Sequence, residues 1–230
     1  MKKIGMIGGI SWESTLLYYE LINKKVKNTL GGLHSANCAI ESFDFDEIAR
    51  LQAMDDWKKL EDLMISRSIS LQESGAELLL ICANTMHLCV EAIKSKISIP
   101  IVHIAEVTAT RIKESKLNKV ALLGTKFTME RDFFKEILLA HGIEAIVPDQ
   151  QQRDMIHDII YYELVLGEIK SSSRNFFLEI IESLNSRGAQ GIILGCTEIP
   201  LLIGSEDTEM PLFNTTQIHA ESAVELALTK

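Results

Sequence analysis

Gly195-Cys196-Thr197-Glu198 sets a thiol, a hydroxyl and a carboxyl side by side directly after the apolar run Gly191–Leu194. Cys82-Ala83-Asn84-Thr85-Met86-His87 sets an amide and a hydroxyl after a second run, Leu78–Ile81. Small polar side chains where a strand gives way to a helix converge with free backbone N–H groups, and such a set is suited to a carboxylate. A thiol at a helix N-terminus is expected to ionise more readily than a free one. Two further loops share this character. Gly124-Thr125-Lys126-Phe127-Thr128 places hydroxyls after Val120–Leu123, and Gly8-Gly9-Ile10-Ser11-Trp12-Glu13-Ser14-Thr15 follows Lys3–Ile7. The glycines there permit a positive φ and close backbone approach. Gly5, Gly8 and Gly9 do not fit G-x-G-x-x-G, and no Gly-Lys-Ser/Thr follows, so no nucleotide loop is indicated. No C-x-x-C or H-x-x-x-H pair points to a metal.

Loops of this kind need a scaffold that brings them together. The four apolar runs alternate with longer helical patterns, which predicts βα units on parallel sheet. In Trp12–Val26, for example, Tyr18, Leu21, Ile22 and Val26 fall at helical spacing and Ser11 is placed to cap the N-terminus. The chain also contains itself twice. Lys3–Gly9 matches Lys119–Thr125, Gly75–Thr85 matches Gly188–Glu198, and Ile99–Val102 matches Met210–Phe213. The three matches keep the same order at nearly constant offset. They divide the chain into a first α/β half, residues 1–107, and a second, residues 108–216, with a C-terminal helix within 217–230 packing back on the first. The fold class expected is α/β, two similar parallel-sheet halves. Ligands in such sheets bind at the carboxyl ends of the strands, so the site is expected in the cleft between the halves.

Composition narrows the partners. The 230 residues are 47% hydrophobic and 24% charged, as in an ordinary globular protein. The net charge of −9 argues against nucleic acid or an anionic membrane surface as a partner. The apolar run near Met1 is too short for a signal peptide, and no stretch reaches the roughly 20 residues of a membrane span. Four cysteines without paired spacing fit a reducing, cytoplasmic setting.

Taken together, Gly8–Thr15, Gly31-Gly32-Leu33-His34-Ser35, Asn84–His87, Leu123–Met129 and Gly195–Glu198 resemble the aspartate/glutamate racemase family over essentially the whole chain. The resemblance implies two α/β halves related by pseudo-twofold symmetry, acidic amino-acid substrates, no pyridoxal phosphate or other cofactor, and a homodimer. It implies an acid/base from each half, one removing the α-proton and the other delivering a proton to the opposite face. Cys196 would be the second-half acid/base. Asn84, Thr85, Thr197 and Glu198 would hold the α-carboxylate and orient the substrate, Thr125 and Thr128 would supply a hydroxyl pair, and Gln52 would meet the side-chain carboxylate. His87 reads as a structural histidine on a helix face, with sensing or tuning of the site as its other reading, and the cysteines other than Cys196 read as packing residues.

One position departs from that pattern. Both the internal repeat and the resemblance put the first-half acid/base where Ala83 stands, and alanine has no proton to give or take. Cys82, one residue earlier, is expected to point to the opposite face. Several readings stay open: a racemase using water or a neighbouring group on that face, an inactivated form of such an enzyme, a one-sided decarboxylase-like enzyme of the same superfamily, or a catalytically silent amino-acid or dicarboxylate binding protein.

Overall fold

A computed structural model describes residues 1–229 and divides the chain into two compact units, residues 1–103 with 219 onward, and residues 104–218. The first contains β1 (Ile4–Gly8), α1 (Trp12–Leu30), β2 (Cys38–Ser42), α2 (Phe45–Ala53), α3 (Trp57–Glu73), β3 (Leu78–Ile81) and, after a 3-10 turn at Thr85–Cys89, α4 (Val90–Lys94). The second contains α5 (Ile104–Glu114), β4 (Lys119–Gly124), α6 (Lys126–Glu130), α7 (Asp132–Ala140), β5 (Glu144–Ile146), α8 (Gln150–Tyr162), α9 (Ser171–Ser186), β6 (Ile192–Gly195) and β7 (Leu212–Asn214). The last helix, α10 (Thr215–Leu228), contributes to the first unit from His219 onward. No helix among the described residues is long and apolar enough to cross a membrane.

Both sheets are parallel and share one topology, so the fold is α/β as the sequence indicates. The first runs β2-β1-β3, with Ile101 adding a single bridge to Leu79, and the second runs β5-β4-β6-β7. The repeat is thus carried into hydrogen bonding: Ile101 stands beside β3 much as Leu212 stands beside Ile192 of β6. The central strands are the apolar runs of the sequence. They read as continuous rather than alternating because both faces of a parallel sheet are covered. In β4, Val120 and Leu122 enter one core with Ile104, Ile112, Phe134 and Leu138, whereas Ala121 and Leu123 enter another with Ile156, Ile160, Phe177 and Ile180. Each fully buried aliphatic or aromatic side chain contributes roughly 1.5–3 kcal/mol. Strands β2, β5 and β7 form no continuous apolar run, because they lie at sheet edges, where one side of the backbone and much of the side-chain surface face solvent.

The junctions after the central strands are shaped by glycine. Gly9 sits at φ 79° and donates its N–H to Thr15 Oγ1 at 2.7 Å, which fixes the turn into α1. At that helix start Ser11 caps as expected, accepting from the Ser14 N–H. A Cβ on Gly195 would lie 2.7 Å from the Leu123 carbonyl oxygen, so only glycine lets β6 end so close to β4.

Candidate active site

In the second unit, Gly124 and Gly195 are paired at the carboxyl ends of β4 and β6, so the loops after them lie side by side. Thr125 caps α6: its side-chain oxygen accepts from the Thr128 N–H and lies 3.3 Å from the Thr128 hydroxyl. After β6 the Cys196 thiol donates to Glu198 Oε2 at 2.8 Å, and the Thr197 hydroxyl donates to the same oxygen at 2.6 Å. Glu198 is 6% exposed, so both donors act where water competes little. The structure therefore places Cys196, Thr197, Glu198, Thr125 and Thr128 at one sheet end. Cys196 is the partly buried member.

The electrostatics of this thiol run against the sequence expectation. Burial, and then the charge and hydrogen bond of Glu198, push the Cys196 thiol well above the usual thiol range. No helix dipole of consequence offsets this, since the next element is a three-residue 3-10 turn, Ile199–Leu201, with Pro200 inside it. Cys196 rests as a protonated donor, with its acceptor already in place.

Two neighbours from α8 carry no signal in the sequence. Burial is the main reason the Tyr161 phenol is pushed up, and Cys196 and Glu198 add to it, which puts the ring within electrostatic reach of both. His157, one turn earlier, packs against Tyr161 with ring centroids 4.5 Å apart and accepts the Lys126 N–H on Nδ1 at 3.3 Å. Burial lowers its pKa. Their i, i+4 spacing shows only that they share a helix face, and pairing of that face with the Cys196 loop is a tertiary fact.

In the first unit, Ala83, Asn84 and Thr85 come after β3 and are all buried. The strand registers identify the counterpart of Cys196. Ile7 pairs with Ile81 in one sheet and Leu123 with Leu194 in the other, and Ile7 and Leu123 each precede the matched glycine, Gly8 or Gly124. Two residues beyond Ile81 is Ala83, and two beyond Leu194 is Cys196. Ala83 also shares its core with Leu79 and Ile81, as Cys196 packs beside Ile192 and Leu194. Cys82 has the opposite parity and is fully buried; its thiol is pushed up by burial and its carbonyl accepts from Ser14 Oγ at 2.6 Å. Cys89 is likewise buried, its thiol pushed up to about 12. Gln52, on α2, is buried rather than solvated, and its amide N–H donates to Met86 Sδ at 3.3 Å. The structure thus gathers Gln52 with the turn that carries Asn84 and Thr85.

His87 lies behind that turn. Its Nδ1–H donates to the Ala83 carbonyl at 2.9 Å and reaches the Asn84 carbonyl at 3.2 Å. Its ring meets those of His103 and His219 edge-on at 4.8 and 5.4 Å. Burial holds all three imidazoles neutral. His87 is lowered well below the usual range, His103 to about 4 with help from His219 and Lys94, and His219 to about 3 with help from His87. An unfolded histidine titrates near 6.5, so below that pH the unfolded chain takes up protons that the folded chain does not. Stability is therefore intact above about pH 6.5 and is lost as pH falls toward 4, by about 1.4 kcal/mol per pH unit for each imidazole. Urea midpoints should drop steeply between pH 7 and pH 5, and His219→Gln should flatten that slope by about one imidazole's share; a midpoint constant across this range contradicts the neutral cluster.

The family model described as Asp/Glu/hydantoin racemase matches residues 7–223. The broad specificity amino-acid racemase RacX of Bacillus subtilis (strain 168) is 25% identical over 171 residues, covering 74% of this chain and 73% of RacX. Among solved structures, an Asp/Glu racemase candidate from Yersinia pestis is 47% identical, with a TM-score of 0.93 and 100% of both chains covered. PH1733, an aspartate racemase homologue from Pyrococcus horikoshii OT3, is 34% identical, with a TM-score of 0.86 and again 100% of both chains covered.

Proposed function

This chain belongs to the Asp/Glu/hydantoin racemase family, and we propose that it is a cofactor-independent racemase of aspartate or glutamate in which Cys196 is one acid/base. The observation that carries the reading is the thiol of Cys196 held 2.8 Å from the Glu198 carboxylate at a glycine-shaped strand end. A thiol so placed becomes a base by passing its proton to Glu198. The thiolate then takes the α-proton of the substrate, and the electron pair left on the α-carbon spreads into the α-carboxylate. Return of a proton from the thiol restores the starting enantiomer; delivery to the opposite face gives the other. Because Glu198 is occupied by the thiol and by Thr197, its part is to exchange the thiol proton and to face the substrate ammonium, while Asn84, Thr85, Thr125 and Thr128 hold the carboxylates. Gln52 is assigned the side-chain carboxylate. All four cysteines are free, and the reading goes with a reducing, cytoplasmic setting and a homodimer.

The register that makes Ala83 the counterpart of Cys196 in the repeat favours a second reading. With one base, the chemistry becomes one-sided: α-proton exchange with retention, or a decarboxylation that needs a single proton donor. Proton NMR of each enantiomer of aspartate and glutamate in D₂O, with a chiral assay alongside, decides between them. Loss of the α-proton signal with inversion is the expected result, water or a neighbouring group then serving the Ala83 face. Exchange of one enantiomer with retention supports the one-sided enzyme. Saturable binding without exchange sinks both and leaves a binding protein.

A further inference from the structure

The first unit's strand-end turn rests on a buried network that has no counterpart in the second unit. The repeat that matches Ala83 with Cys196 matches His87 with Pro200, so the turn after β6 has no imidazole at the corresponding position. His219 supplies the second tie. Its Nε2–H donates to the Val102 carbonyl at 2.7 Å, which leaves Nδ1 to accept from the Tyr18 hydroxyl at 2.8 Å and fixes the tautomer. The Val102 carbonyl also bears on His87. His103 and His219 are the residues at which the chain leaves this unit and re-enters it. One cluster thus joins the turn after β3, helix α1, the outgoing segment Val102–His103 and helix α10.

We propose that His87 and His219 are positioning residues: His87 sets the Ala83 and Asn84 carbonyls, and so the side chains of Asn84 and Thr85, while His219 holds the Val102–His103 segment against which the His87 ring rests. The inference rests on the proposed function for what Asn84 and Thr85 bind. The network does not relay a proton toward the Ala83 face, because the Nδ1–H of His87 and the Nε2–H of His219 both end on backbone carbonyls, which only accept. The groups that face the cluster are Tyr18 from α1, His103, and at longer range Lys94 from α4.

The test compares His87→Leu, which fills the space without a donor, with His87→Asn, whose amide N–H occupies the place of Nδ1–H. For whichever enantiomers of aspartate and glutamate the wild type turns over, His87→Leu should raise KM roughly tenfold, the worth of a displaced hydrogen bond, with kcat changed less. His87→Asn should return KM to within about threefold of wild type. A role confined to stability would lower the folded fraction and leave KM alone, so a folded His87→Leu protein with wild-type KM overturns the proposal. If the wild type turns over none of these amino acids, the racemase reading falls, and the backbone amide resonances of Ala83, Asn84 and Thr85 decide the inference by themselves. They should move in His87→Leu and in His219→Leu and return in His87→Asn; resonances that stay in place in the leucine variants overturn it.

Discussion

Replacing Cys196 with alanine is expected to abolish α-proton exchange, by about 10⁴-fold or to the limit of detection, while the protein stays folded. Size and sign both follow from the site. The thiol is the group that touches the α-proton in the proposed reaction, and its loss leaves Glu198 and Thr197 with no atom placed to do the same work. Stability should change by about 1 kcal/mol or less, because the side chain is small and only partly buried. Serine at this position would keep the shape and the hydrogen bond to Glu198, yet a hydroxyl gives up its proton far less readily, so Cys196→Ser should be almost as inactive. Glu198→Gln probes the other half of the pair. Removing the carboxylate removes a charge that holds the thiol pKa up, so the alkaline-rising limb of the rate profile should move to lower pH, with a reduced maximum because the acceptor is gone. Turnover in Cys196→Ala equal to wild type would end the assignment, whatever the family.

Introducing a thiol at the matching position should act in the opposite direction. Ala83→Cys is expected to raise the rate of inversion by about 10- to 100-fold over wild type, because it supplies a second acid/base where the repeat places one. Ala83→Thr should give a smaller increase, its hydroxyl being the weaker acid. Ala83 is 9% exposed and packs with Leu79 and Ile81, so the added sulfur costs about 1 kcal/mol of local strain. The chiral assay reads the gain, and thermal melting shows whether the variant is folded. A folded, ligand-binding Ala83→Cys protein with no faster inversion would show that position 83 does not face the reacting carbon.

The parts of this fold that sequence reveals are those buried on both sides. β1, β3, β4 and β6 stand out as apolar runs because each is enclosed by helices; the glycines after them mark close backbone approach, and the hydroxyls stand out because apolar packing alone does not call for them there. The edge strand Cys38–Ser42 does not stand out. Cys38, Ala39 and Glu41 are only half-buried and Ile40 and Ser42 are exposed, so burial demands no apolar run there. The site was legible to the same extent. Cys196, Thr197, Glu198, Thr125 and Thr128 were each marked by their place after an apolar run, and they converge because Gly124 and Gly195 are paired. The direction of the thiol pKa was not legible. It depends first on burial of the thiol and then on the Glu198 side chain turning back toward Cys196, and neither is a matter of residue spacing. Tyr161 and the Tyr18–His219 contact were hidden for the same reason: each joins residues that only the packed chain brings together.

His219 also sets an order of events during synthesis. The first unit is discontinuous, while residues 104–218 run without interruption. On the ribosome the second unit can be completed from a contiguous stretch, whereas Tyr18 and the Val102 carbonyl wait for an imidazole translated after all of it. Until α10 emerges, the early-made strands have their pairing but not this buried tie, so the turn bearing Asn84 and Thr85 is among the last parts of the molecule to acquire its final setting. The half of the protein that is made first is finished last.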